Sequence, residues 1–101
     1  MTQSCADALE IATYISDLKS NDEVLLPSFT FSATVNAVIA RGAKPIFVDS
    51  RNDNLCICLN DAEKKITKKT KCIILVHYGN NICDIEKALY LKKKYKIKII
   101  E

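Results

Sequence analysis

Thr2-Gln3-Ser4-Cys5-Ala6 places small side chains and a hydroxyl just before and on what its periodicity predicts as the first turn of a helix. Unpaired backbone N–H groups and the positive end of the helix dipole meet at such a turn, so it suits an anion such as a phosphate. Plain capping by Ser4 is the competing use of the same residues. Phe31 lies four residues after Pro27, in a loop with Phe29 among Ser28, Thr30, Ser32 and Thr34. Loops face water, so a ring there either anchors in the core or offers its face to a flat heterocycle. On the residues alone, the core anchor is the stronger reading. His77 and Tyr78 follow an apolar run, at the strand end where parallel sheets point side chains into a crevice. His77 is the only histidine. To act as a general base it needs a partner within hydrogen-bond reach, which the sequence does not identify.

Other chemistries are disfavoured by pattern. Neither a GxGxxG nor a GxxxxGK[ST] stretch occurs, which argues against a dinucleotide fold or a P-loop. The five cysteines (Cys5, Cys56, Cys58, Cys72, Cys83) form no CxxC knuckle, so no metal site is expected. Cys56, Cys58 and Cys72 read as small buried hydrophobes. Their odd number, and a chain start without an apolar signal segment, suggest free thiols and a cytoplasmic setting. Ten of the thirteen lysines cluster at 64–71 and 92–98, on solvated faces. A formal net charge of +3 with two arginines is a weak footprint for nucleic acid. The longest apolar run is too short for a membrane span.

The elements that position these residues follow from the hydrophobic pattern. The chain has 101 residues, 49% hydrophobic and 27% charged, which suits one globular domain. Ala8, Leu9, Ile11, Ala12, Ile15 and Leu18 predict a helix from Ser4 to about Leu18. Glu23 to Leu26, stopped by Pro27, reads as a buried strand. Ala33–Arg41 is helical, with Gly42 as its left-handed C-terminal cap. Pro45–Asp49 is a strand, and Leu55–Leu59 a short extended piece. Asn60 or Asp61 would cap a helix over Ala62–Thr67. Lys71–Val76 is a third strand, Asn81–Tyr95 an amphipathic helix, and Ile97–Ile100 a fourth strand. Apolar runs without polar alternation belong to parallel strands covered on both faces, so the fold class is α/β with right-handed crossovers. A helix before any strand, and strand-like sequence at Ile99-Ile100-Glu101, suggest a piece of a larger protein.

"TQSCADALEIA", "DEVLLPSFTFSATVNAVIARGAKPIFVD", "ITKKTKCIILVHY" and "IIE" resemble successive landmarks of the pyridoxal-phosphate-dependent sugar aminotransferases of the DegT/DnrJ/StrS type, in order and over essentially the whole chain. They look closest to the branch that makes 4-amino-4,6-dideoxygalactose on a nucleotide carrier. The resemblance implies the fold type I aminotransferase architecture, with residues 1–101 as part of its large domain, and a homodimer. It implies amino transfer from an amino acid, usually glutamate, to a nucleotide-linked keto sugar. It puts Ser4, Cys5 and Ala6 on the cofactor phosphate and Phe31 against the pyridine ring, with Phe29 packing inward, and leaves His77 and Tyr78 as substrate-side candidates.

The departures from the family pattern carry consequences of their own. Ala6 stands where a threonine is common, so the phosphate is left with backbone N–H groups. Gly79-Asn80 replaces an Ala-Gly pair, and Asn21 replaces a glycine, a mild change because Asn tolerates left-handed dihedrals. The family's Schiff-base lysine, and the aspartate that pairs with the ring nitrogen, have no counterpart among these residues, so the chain on its own is expected to be catalytically inert. The alternative is a flavodoxin-like α/β binding module without covalent chemistry.

Overall fold

Val24, Leu25 and Leu26 are consecutive and apolar, and a strand that is apolar on both sides is stable only inside a sheet covered twice. The computed structural model describes residues 1–101 and arranges them that way. The order is α1 (Cys5–Ile15), β1 (Glu23–Pro27), α2 (Ser32–Ile39), β2 (Lys44–Val48), α3 (Leu59–Lys65), β3 (Thr70–Ile74), α4 (Ile85–Tyr95) and β4 (Lys98–Ile100). The strands form one parallel sheet in the order β2-β1-β3-β4. Leu25 faces Ile46 on one side and Ile73 on the other, so β1 is central.

The two faces have separate cores. Leu25, Val48 and Ile73 pack with Leu59 and Ala62 of α3 and Ala88 and Leu91 of α4. Val24, Leu26, Cys72, Ile74 and Ile100 pack with Val38 of α2 and with Leu9 and Ala12 of α1. From β1 the chain moves outward to β2 by way of α2, then back past β1 to β3 by way of α3 on the opposite face. Direction and face reverse together, as a single hand of crossover requires. The reversal makes β1 and β3 the switch point of the sheet, and a crevice is expected beyond their carboxyl ends.

Several element boundaries differ from the sequence reading. α1 ends at Ile15, and the chain turns through Asp17 (φ 56°) and Asn21 (φ 70°) to bury Leu18. Asn21 thus uses the left-handed tolerance for which asparagine is suited. Gly42 has φ 74°, a left-handed backbone that favours glycine, and a Cβ there would also have to displace the Ser20 hydroxyl, 2.9 Å away. Leu55–Leu59 is not a strand: Leu55 is left-handed (φ 61°), and only Ile57 bridges to Ser50. Adjacent Cys56 and Ile57 are both buried, which an alternating strand cannot do against a single face.

Asn60 and Asp61 lie inside α3, which starts at Leu59. Asp61 instead accepts from the Asp49 N–H at 3.0 Å and pairs with Lys65 at 2.8 Å. α4 begins four residues later than its periodicity suggested. Asp84 is its cap, accepting from the Lys87 N–H at 3.0 Å, while the Asn81 and Cys83 amides bond elsewhere. No helix is long and apolar enough to cross a membrane.

Glu63 of α3 ties the two helices of one face together. It accepts from Lys87, from Lys94 at 3.2 Å and from the Tyr95 hydroxyl at 3.2 Å. The Lys87 bond, then the Lys94 bond, hold its carboxyl down to about 2 from an ordinary 4.5. A depressed carboxyl stabilises the fold above its unfolded value, and that stability drains away as pH falls from about 4.5 toward 2. In acid unfolding, Glu63→Gln is therefore expected to flatten the loss of stability across that window. An unchanged acid profile would mean that the cluster is solvated and contributes nothing.

Candidate functional site at the carboxyl edge of the sheet

Every helix that follows a strand here runs back antiparallel to it and so begins at the carboxyl edge. α1 obeys the same geometry although it precedes β1. Its exit is fixed at the opposite, amino edge by Lys98, the first residue of β4, whose Nζ donates to the Ser16 carbonyl at 2.8 Å. Thr13 Oγ1 donates to the Ala37 carbonyl at 3.4 Å and the Arg41 guanidinium lies 4.9 Å from the Tyr14 ring centroid, so α1 lies alongside α2 in the same direction. The turn at Ser4 and the loop holding Phe31 therefore share one edge of the sheet.

At that turn Ser4 is extended (φ −147°, ψ 164°). Its Oγ accepts from the Asp7 N–H at 3.1 Å, and its carbonyl accepts from the Ala8 N–H at 3.1 Å. The capping use of Ser4 is thus realised. The Cys5 and Ala6 N–H groups have no acceptor in the chain and stand at the positive end of an eleven-residue helix.

Phe31 occupies the N-cap position of α2 without a side-chain cap, and its ring is 80% exposed. It is not the core anchor that its residue type suggested. Phe29 does not pack inward either. It is 46% exposed and meets Tyr78 edge to face, with centroids 5.0 Å apart and planes at 65°. The reason is topological: Phe29 leaves β1 and Tyr78 leaves β3, so the two loops flank the switch point and their rings close over it. Thr30 and Thr34 share a hydroxyl bond of 2.9 Å behind them.

His77 has the partner that the sequence did not reveal. Its Nε2 lies 3.2 Å from Glu101 Oε2, and its Nδ1 accepts from the Cys83 N–H at 3.1 Å. The signal was present but indirect: β3 and β4 are parallel neighbours in register, so residues just past their ends meet. Burial, followed by the neighbouring Cys56 thiol, pushes the Cys83 thiol up to about 11, and burial pushes Cys72 to about 12. Neither supplies a thiolate near neutral pH. The loops 28–31 and 75–84 contain no lysine. This edge therefore presents free first-turn amides and an exposed aromatic ring, and the two loops that flank the switch point bring no lysine amine to it.

The comparisons with known proteins agree with this fold. GDP-perosamine synthase of Escherichia coli O157:H7 is 42% identical over 94 residues, covering 93% of this chain and 26% of that protein. The 3-oxo-glucose-6-phosphate:glutamate aminotransferase of Bacillus subtilis strain 168 is 39% identical over 100 residues, covering 99% and 23%. This chain thus spans about a quarter of the length of these curated relatives. The crystal structure of NtdA from Bacillus subtilis with bound cofactor PMP matches at a TM-score of 0.89 and 37% identity, over 93% of this chain and 22% of that one. The parallel sheet and its helices are accordingly a portion of that α/β aminotransferase fold. With a family description that matches from residue 1 to 101, the chain belongs to the DegT/DnrJ/EryC1/StrS aminotransferase family.

Proposed function

We propose that residues 1–101 form the cofactor-holding wall of the large domain of a pyridoxal-phosphate-dependent sugar aminotransferase. The complete protein, a homodimer of the cytoplasm, would move an amino group from an amino acid, glutamate by preference, to a nucleotide-linked keto sugar. The supporting observation is the shared edge, where two unpaired first-turn amides and one exposed aromatic face lie beyond the carboxyl ends of the strands. Five free thiols suit a reducing compartment.

The residues present fit pyridoxal phosphate. The Cys5 and Ala6 amides would hold the phosphate, joined by the Ser4 hydroxyl proton, since only the acceptor side of that oxygen is engaged in capping. Phe31 would cover one face of the ring and exclude water from it. Bound there, the cofactor supplies the electron sink that amino transfer requires. His77 and Tyr78, opposite Phe29, would border the sugar side. None of the thirteen lysines lies in the two loops of this edge, so the 101 residues alone are expected to bind without turnover.

Pyridoxamine 5′-phosphate is the suitable probe, because it has no aldehyde to react with surface lysines. Calorimetric titration is expected to show saturable binding that inorganic phosphate weakens by competition. Affinity weaker than about 1 mM, or about −4 kcal/mol, would overturn the assignment.

A further inference from the structure

The surroundings of His77 assign its single ring proton. A backbone N–H can only donate, so the nitrogen that receives Cys83 N–H at 3.1 Å must be bare. In the neutral ring the proton then sits on Nε2, which faces Glu101 Oε2 at 3.2 Å. Both ring nitrogens are engaged, and each contact reaches a different segment: Glu101 follows β4, and Cys83 immediately precedes the Asp84 cap of α4. The Cys83 thiol adds a third tie, donating to the Val76 carbonyl at 3.3 Å. Inside this clasp the chain turns at left-handed Gly79 (φ 62°), and the Asn81 N–H bonds to the Tyr78 carbonyl at 3.0 Å. Tyr78, whose ring closes on Phe29, is therefore held from both ends of its own loop.

We propose that His77 is a positioning residue, a clasp fixed in the Nε2–H tautomer that holds the Glu101 carboxylate and the 78–83 loop in place at the carboxyl edge, and that it is not a proton carrier. A general base needs a free lone pair within reach of the substrate. Here the lone pair is on Nδ1 and is turned to the backbone of the chain itself. The relevance of this clasp to catalysis rests on the cofactor reading above; the tautomer and the clasp do not.

The test uses the chain labelled with 15N at histidine, at a pH where the spectrum shows the ring neutral. Ring nitrogen shifts and long-range couplings are expected to show the Nε2–H form in large excess. Dominance of the Nδ1–H form would overturn the proposal, and a mere space-filling role would leave the solution mixture, in which Nε2–H leads but a minor Nδ1–H form persists, so a detectable Nδ1–H population counts against it equally. In amide hydrogen exchange, His77→Ala is expected to speed exchange at Cys83 by about 2–10-fold, the loss of one hydrogen bond. His77→Asn, which offers an oxygen near the Nδ1 position, is expected to recover most of it. Unchanged exchange at Cys83 in His77→Ala sinks the clasp, and if that variant fails to fold, the wild-type tautomer decides alone. A chain with the Nε2–H signature that does not bind pyridoxamine 5′-phosphate upholds the clasp and overturns the cofactor assignment instead.

Discussion

Leu25→Ala is expected to destabilise the chain by about 2–5 kcal/mol, with part of the cost coming from the cavity left behind. Leu25 is fully buried at the middle of β1, between Ile46 and Ile73, beneath the helices α3 and α4. The neighbours that would have to collapse into the gap are themselves strand residues fixed by ladders on both sides, so relaxation is limited. A domain of this size has about 5–15 kcal/mol to lose, and each kcal/mol lowers the melting point by about 4–8 °C. Urea unfolding should show the midpoint falling by a large fraction of its value at constant slope. Phe31→Ala, although it deletes a larger side chain, should stay within about 0.5 kcal/mol because its ring is already in water. If the two variants lose equal stability, β1 is not the centre of the core.

The contrast between Leu25 and Phe31 shows what was legible in the sequence and what was not. Consecutive apolar residues at 24–26 and 72–74, in runs too short for a helix and set between helical patterns, announce parallel strands covered on both faces. Gly42 and Asn21 announce left-handed turns because of their backbone freedom. Those statements depend on local chemistry alone. The exposure of Phe31, the Phe29–Tyr78 pair and the His77–Glu101 bond depend on which strands become neighbours, and His77 and Glu101 are 24 positions apart. The start of α4 departs from its apolar spacing for a related reason. Apolar spacing runs through Ile82 to Ile85, but the Cys83 N–H is taken by His77, and a helix cannot begin until Asp84 offers its carboxylate. Capping is a competition among acceptors, and one competitor came from another segment of the chain.

Cys5→Pro is expected to weaken binding of pyridoxamine 5′-phosphate by about 10–150-fold while leaving the fold intact. Cys5 is the first helical residue, the one place where proline is welcome, because its N–H has no helical partner to lose and its fixed φ suits the turn. Proline also requires an extended residue before it, and Ser4 already has φ −147° and ψ 164°. The substitution therefore deletes one N–H from the proposed phosphate cradle and little else, and a hydrogen bond to a charged group is worth about 1.5–3 kcal/mol. Phe31→Ala should weaken the same ligand by about 2–10-fold, the contribution of an aromatic pair of about 0.5–1.5 kcal/mol. The two groups would touch opposite ends of one molecule without touching each other, so their effects should add in the double variant. Ala6→Thr should act in the opposite direction by restoring a hydroxyl beside the free amides. Additive losses at unchanged melting temperature would tie the α1 turn and the Phe31 ring to one ligand. If Cys5→Pro binds as tightly as the parent, the free amides at Cys5 and Ala6 are only the ordinary frayed beginning of a helix, and the cofactor wall must be sought elsewhere.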